Sequence, residues 1–482
     1  MPSGERSAAS PKHGLQSIQP SAREEVERTA PVHETRGSRR LSRAREVVRE
    51  VVEEEEENFQ KFWDRFRGKG REVSWSESLR NIVFSSWLNI FFVILPIAWV
   101  SHWVQWHTGL TFGLCFVAIL PMARIFDYCG EQMAFYLGYS LGDLVVITLN
   151  NAVEATLSII LLLKCQVKLL QSTIAGVVLL HLLLIPGTAF LVGGARIWEQ
   201  ELHEHPTQLN HSLLTIGVLA LLLPSAFFSS IGTGLPSGIT TGLRHDLGQI
   251  SRGLALILLI VYIASRIYLH HPPGAEGQHV DAHLPHALRI KERELARQRP
   301  EVNVWSCIAL SLVVIVLMAV TAWMLVESIE FVQERSNIQD EWFGLVFLPI
   351  VSFSADGVVA IVLFLRVLFR AYHGKDKDSY ITTLARGRTI DLSIQFTLFW
   401  MPFFVLLGWW TDRPLSLLFD MFEVALLLGA CFLVNYVTAD AKTNWAEGCI
   451  MVGFYVMIAL CSWFYPGNMV IEEMVQCQKN IL

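Results

Sequence analysis

The chain is 482 residues long, 52% of them hydrophobic and only 17% charged, with a formal net charge of -6 and a mean hydropathy of +0.41. That balance leaves too little charge to cover a soluble protein of this size. The lack of a basic excess argues against a nucleic-acid partner. The apolar residues gather in runs of about 20, the length that crosses the hydrocarbon core of a bilayer, so the expected fold class is all-α and integral to a membrane.

In chain order, residues 1–78 come first, rich in Ser, Pro, Arg and Glu and including the acidic run Glu53–Glu57. This composition predicts a disordered cytoplasmic tail with helical potential over Arg45–Arg67. The start has no apolar stretch, so no cleavable signal peptide is expected and the first span must direct insertion. About eleven apolar spans follow. They lie near Val83–Val100, Leu110–Ile125, Met133–Leu163, Val167–Val192, Ser212–Phe228 and Ile250–Tyr268. After a polar loop come Val304–Val326, Trp342–Phe369, Ser379–Trp410, Leu415–Val437 and Trp445–Tyr465. Several are longer than a bilayer needs, which predicts tilted or broken helices.

Basic residues concentrate in the tail, in Arg289–Arg299 and in Arg366–Arg388. The positive-inside rule puts all three in the cytoplasm and the C-terminus on the far side, although Lys164, Lys168, Arg244 and Arg252 fall in loops of the opposite set. The expected organisation is a tail (1–78), an N-terminal membrane helix (79–104), a five-span half (105–269), a polar linker (270–302), a second five-span half (303–467) and a C-terminal tail (468–482). An odd number of spans per half forces opposite orientations, so the halves can form an inverted pair. The linker histidines (His270, His271, His279, His283, His286) read as solvated rather than as a metal site. The eight cysteines include no C-x-x-C pair, and free, buried thiols are expected.

A charge in the middle of a span is costly and by default functional. Glu154 lies within Leu149–Thr156 and Asp356 within Pro349–Ala360. Each falls in the second span of its half. Asn150 and Asn151 precede Glu154 by four and three residues, and Ser352 precedes Asp356 by four, which places each set on one helix face. Pro349 and the Asn150–Asn151 pair would loosen the backbone and free carbonyls. Carboxylates with amide and carbonyl oxygens suit a hard cation, and a buried pair of them takes up protons in coupled steps. The next span of each half carries a mid-span amide, Gln171 or Gln395. The alternative is that each acid is statically paired across helices and each amide satisfied by packing alone. No H-E-x-x-H, G-x-S-x-G or phosphate-binding loop is present, so an enzyme is not expected, nor any cofactor.

These residues resemble the cation/proton exchangers of the calcium/cation antiporter superfamily over nearly all of Trp75–Tyr465. Asn151–Thr156 with Gln171 is similar to the family's first repeat motif, and Leu345–Val351 to the stretch that opens the second. Ser85–Asn89, Leu221–Phe227, Ser251–Gly253, Phe419–Leu428 and Ala439–Gly448 are further matches. The resemblance implies two inverted five-helix repeats plus one N-terminal helix, and exchange of calcium for protons across a vacuolar or related membrane. Carried over by position, Glu154 and Asp356 would hold the transported cation, with Asn151, Gln171 and Gln395 beside them. Glu423 resembles a family position with a structural or proton-path role. Asp440, Lys442 and Glu447 read as a cluster that fixes a helix end.

The chain departs from the family pattern in both halves, little in the first and more in the second. Asn150 stands where the motif has Gly, Leu180 and His181 replace a Ser-Asn pair, Phe353 replaces an Asn, Gly357 a His, and Asp391–Leu392 a Gly-Ser pair. Shortening Glu to Asp and replacing Asn by Phe serve a calcium ion less well. Sodium or potassium is therefore the runner-up cation, and a non-transporting regulatory paralogue the second class. Asp391 either restores an acid to the site or pairs with Arg388. His181 is either an added proton carrier or a satisfied core histidine.

Overall fold

The computed structural model describes residues 49, 73–194, 200–201, 204–232, 241–270, 301–336, 338–351, 353–354, 357 and 388–477. Most of the tail, with all but residue 49 of its expected helix, and most of the linker lie outside them, as do Ser352, Asp356 and most of the span expected at Trp342–Phe369. Among the described residues seven helices are long and apolar enough to cross a membrane, nine if each bent pair is counted as one span.

The first bent pair joins α1 (Trp75–Val83), through a 3-10 turn at Trp87–Val93, to α2 (Ile94–Trp103), with a 94° change of direction. α3 (Thr108–Leu137) and α4 (Gly142–Asn150) are consecutive and pack against each other. Their backbones nearly touch where Gly130 meets Val146 and Gly142 meets Ala134. This corrects the span boundaries read from hydropathy. The second span runs past Ile125 to Leu137, and the third begins at Gly142 rather than Met133. The signal for the reversal was present but weak: Gly138, Ser140, Gly142 and Asp143 interrupt the apolar run, as turn-forming residues do.

The first half continues through α5 (Ala152–Leu163), α6 (Val167–Leu179), α7 (Ile185–Gly194), α8 (Glu204–Gly232) and α9 (Thr241–His270). The second half contains α10 (Val304–Glu327), α11 (Ile329–Ser336), the short α12 (Asp340–Trp342), α13 (Arg388–Gln395), α14 (Met401–Trp410), α15 (Met421–Val437) and α16 (Trp445–Trp463), and α17 (Met469–Val475) follows. Two-residue strands β1 (Gln200–Glu201) and β2 (Lys442–Thr443) pair antiparallel. Capping boxes start α15 (Asp420 with Glu423) and α16 (Asn444 with Glu447). The second box, with Asp440 Oδ1 accepting from the Lys442 N–H, agrees with the helix-end role expected for that cluster.

Loop contacts sort the ends of the bundle. At one end Tyr128, Gln132, Tyr136, Asn81 and Ser78 bond to Glu301, Val302 or Asn303. At the other, Lys164 pairs with Glu327 at 3.5 Å, Arg244 donates to the Glu473 carbonyl, and Cys165 is joined to Cys477 by a disulfide. α10 alone separates the two sets by its 24 residues, about 36 Å at helical rise. The disulfide corrects the expectation of eight free thiols. Cys115, Cys129, Cys307 and Cys431 are free and buried, while Cys449 and Cys461 are free but exposed. The missed pair is 312 residues apart, and sequence spacing does not reveal such a connection.

Among the described residues three π-helical segments interrupt the spans, at Leu180–Leu184, Phe343–Phe347 and Phe396–Trp400. Each ends two residues before a proline: Pro186, Pro349 and Pro402. A proline offers no N–H to the carbonyl four residues earlier, and its ring crowds that carbonyl. The carbonyls concerned are those of Leu182, Leu345 and Leu398, the middle residue of each segment, and widening the turn relieves the clash. Proline alone does not suffice, because Pro121 and Pro224 sit within regular α-helix.

The second π segment crosses α6 at backbone contact. A methyl group on Gly176 would collide with the Leu345 backbone, and one on Gly344 would lie 2.6 Å from Ser172 Cβ. Small residues at such crossings let membrane helices approach closely. Gly176→Ala is expected to lower stability by about 1–3 kcal/mol through overpacking. Gly253→Ala, at an exposed helical position with open space around it, should change it little or raise it. Thermal unfolding of the two purified variants in detergent checks both.

Candidate functional site

The span carrying Glu154 is broken at Asn151, where α4 and α5 meet at 51°. Asn151 has φ -90° and ψ 4°, in the sparsely populated bridge region. The break places Glu154 in the first turn of α5. There the exposed N–H groups and the helix dipole favour negative charge, as at the discontinuous helices of transporters. Glu154 is buried, and Asn151 and Ser158 fully so. Ser158 lies one turn beyond Glu154 on the same face. The sequence reading passed it over, although its four-residue spacing from the acid was visible.

The break also corrects one sequence argument. Asn150 does not share a continuous face with Glu154, because it ends α4 while Glu154 belongs to α5. With its amide oriented to suit its surroundings, Asn150 donates to Val146 O at 3.0 Å and to Asp127 Oδ1 at 3.1 Å.

Asn151 links the two halves. Its Nδ2 donates to Gln395 Oε1 at 2.9 Å and to the Leu392 carbonyl at 3.4 Å. Gln395 in turn donates to Thr148 Oγ1 at 2.9 Å. Gln171 uses its Nε2 on the Ser416 and Leu418 carbonyls, at 3.1 and 2.9 Å. With both amide nitrogens engaged, the buried oxygens Asn151 Oδ1 and Gln171 Oε1, like Ser158 Oγ, have no hydrogen-bond partner among the described residues. Buried acceptors are ordinarily satisfied, and oxygens held this way can serve a cation.

The remaining candidates are placed as follows. His181 is buried within the first π segment, and its Nδ1 has no hydrogen-bond partner among the described residues. Asp391 accepts from Asn210 Nδ2 at 3.1 Å and lies 3.9 Å from Arg266, partners outside its own helix. The ring of Phe353 lies over Gly357. Ser352 and Asp356 lie outside the described residues. Among those described, no group of three or more His, Cys, Asp or Glu could hold a metal ion.

A second buried polar network escaped the sequence reading. Lys168 Nζ lies 2.8 Å from Glu341 Oε1 and 3.9 Å from Glu423 Oε1. Ser172 Oγ is 2.6 Å from both Glu341 Oε2 and Glu423 Oε1. The Asp420 N–H donates to Glu423 Oε2, and Tyr465 donates its hydroxyl to Asp420. The start of α6 was visible as basic, but which acids reach it is a tertiary fact.

A bundle of two membrane halves, joined through a broken helix and a buried acid, has the architecture of a secondary transporter. The family model described as sodium/calcium exchanger protein matches residues 107–269 and 306–464, the two halves in turn, and the chain belongs to that family. It is 30% identical to the vacuolar calcium ion transporter of Cryptococcus neoformans var. grubii, with 85% of this chain and 79% of that protein covered. It is 28% identical to the Ca(2+)/H(+) antiporter of Aphanothece halophytica, with 78% and 97% covered. The solved structure of the Ca2+/H+ antiporter protein YfkE shares the fold, with a TM-score of 0.58 at 20% identity over 78% of this chain and 99% of that one. The protein is a transporter and not an enzyme.

Asn151→Ala removes the donor to Gln395 Oε1 across the halves. A buried acceptor left unsatisfied costs about 1–3 kcal/mol. The variant is expected to be less stable by about that free energy and so to unfold at a lower temperature in detergent, measured by thermal scanning against wild type.

Proposed function

We propose that the protein exchanges calcium for protons across a vacuolar membrane by alternating access around Glu154, with Asp356 as the second acid. The observation that carries the reading is Glu154 at the start of a broken helix. Beside it stands Asn151, whose nitrogen is tied across the halves and whose oxygen is left for a ligand. The printed names of the relatives, a vacuolar calcium ion transporter and a Ca(2+)/H(+) antiporter, support calcium and protons as the exchanged ions.

The chemistry follows from burial. An ionised carboxylate inside a bilayer is costly unless a cation or a proton compensates it. Calcium prefers six to eight oxygens, and Glu154 with neighbouring amide and hydroxyl oxygens supplies part of that number. Occupancy by calcium and occupancy by protons then exclude one another, which couples the two fluxes. Rocking of one bundle against the other would expose the site alternately to each side.

The N-terminus is assigned to the cytoplasm and the C-terminus to the compartment lumen. Two arguments support this. Basic loops fall on the N-terminal side, and Cys165 and Cys477 are bonded at the opposite end, where an oxidising secretory route forms disulfides that cytosol would not maintain.

Two measurements test the proposal. In proteoliposomes with an acidic interior, external calcium is expected to raise internal pH, sodium and potassium to have little effect, and Glu154→Gln and Asp356→Asn each to abolish the response. Movement of protons by sodium or potassium alone would replace the cation, and no movement by any ion in folded protein would end the exchanger reading. Orientation is read in intact, cytoplasmic-side-out vacuolar vesicles. After reduction, an impermeant thiol reagent should label Cys165 and Cys477 only once the vesicles are opened. Labelling of sealed vesicles would invert the topology.

A further inference from the structure

The network of Lys168, Glu341, Ser172 and Glu423 shares no residue with the candidate cation site described above, yet its composition is unusual for a membrane interior. It holds one ammonium and two carboxyls. Glu423 is fully buried and Glu341 nearly so. With both acids ionised the network would carry an uncompensated negative charge, which a low-dielectric surrounding opposes strongly. The hydrogen count points the same way. Ser172 has a single hydroxyl hydrogen, but its oxygen lies 2.6 Å from an oxygen of each carboxyl. Ser172 can donate to one of them and must accept from the other, so one carboxyl carries a hydrogen.

The distances say which. Glu341 is held by the Lys168 ammonium at 2.8 Å, whereas Glu423 is 3.9 Å from it. The Ser172 hydroxyl hydrogen thus goes to Oε2 of Glu341, the carboxyl that the ammonium holds. The proton resides on Glu423 Oε1 and is donated to Ser172 Oγ, while Glu423 Oε2 accepts from the Asp420 N–H. Every contact in the network then has a donor and an acceptor. The other groups around it are Asp420, at the N-cap of α15, and Tyr465, whose hydroxyl holds Asp420 at 2.8 Å. A separate observation connects the network to water. An open cleft of about 130 Å³ lies at the Cys165–Cys477 end, and Lys168 lines it together with Asp340, Gln166 and Glu472.

We propose that Glu423 is a proton-holding residue of the exchange, separate from Glu154 and loaded from the end of the bundle that carries the disulfide. This rests on the exchanger reading. Loading begins with deprotonated Glu423. A proton from water in the cleft passes to Glu341. Ser172 Oγ then accepts that proton as it gives its own hydrogen to Glu423 Oε1. Glu341 is ionised again, Glu423 is neutral, and one positive charge has moved inward. Unloading reverses the steps.

The test uses the full-length protein, in detergent and in proteoliposomes. Infrared difference spectra recorded against pH, in normal and heavy water, report protonated carboxyls directly and need no transport. Wild type is expected to show an enclosed protonated-carboxyl band that shifts in heavy water and is absent in Glu423→Gln. In vesicles, Glu423→Gln should slow calcium-driven proton flux by about tenfold or more and lose its dependence on pH at the Cys165–Cys477 side. Glu423→Asp should restore part of that dependence. If Glu423→Gln does not fold, Ser172→Ala serves instead, because it interrupts the relay while keeping both acids. It should shift the band and slow the flux. Persistence of the band in Glu423→Gln overturns the proposal, as does its loss together with a wild-type pH profile. If wild-type vesicles moved no ion, the exchanger reading would fall, and the infrared titration would still decide whether Glu423 holds an exchangeable proton.

Discussion

A carboxylate in the middle of a bilayer must be matched by a positive charge at all times, and the rest of this structure is arranged around that requirement. Glu154 meets it in a particular way. Its helix is broken three residues earlier, so the acid stands at a helix start, where backbone N–H groups favour its charge. The break is stabilised by a hydrogen bond that crosses between halves, from Asn151 to Gln395. The same bond turns the Asn151 oxygen away from Gln395. One side chain thereby stands at the helix break and joins the halves, and its oxygen has no hydrogen-bond partner among the described residues.

The other departures from regular helix follow from the same economy of polar groups. Three prolines remove backbone donors, and three π segments accommodate the carbonyls left behind. A soluble protein could satisfy such groups with water, whereas a membrane span must do so within the protein. The second of these segments is pressed against α6 at Gly176 and Gly344, immediately beside Ser172 and the charged network. Ser172 therefore belongs both to a tight helix crossing and to a chain of polar contacts, and movement at the crossing would change the distances to Glu341 and Glu423.

Much of this was legible in the sequence, for reasons that can be named. The spans follow from apolar runs, and Glu154, Asn151 and Gln395 from the cost of polar groups within those runs. The pairing of Asn151 with Gln395 could not be anticipated, since 244 residues separate them and the counterpart of Gln395 in the first half is Gln171. The reversal between α3 and α4 was marked only by Gly138, Ser140, Gly142 and Asp143, a short turn signal inside a longer apolar run. Asn150 was assigned to the acid's face because an unbroken helix was assumed, and the bend redirects it to Asp127. Lys168 reads in the sequence as a loop charge and Glu341 carries no signal of its own, and only tertiary packing buries them together. The proline positions were in plain view, but Pro121 and Pro224 show that a proline does not by itself dictate a π turn.

The disulfide has a topological consequence. Cys165 lies in the first half and Cys477 after the last span, so the bond closes a covalent ring that encloses the later part of the first half, the whole linker and all of the second half. A single cut anywhere in residues 270–302 would open the backbone yet leave both fragments in one molecule. The two halves could then be separated only by a reductant, and an exchanger clipped in its linker would keep them in one-to-one proportion.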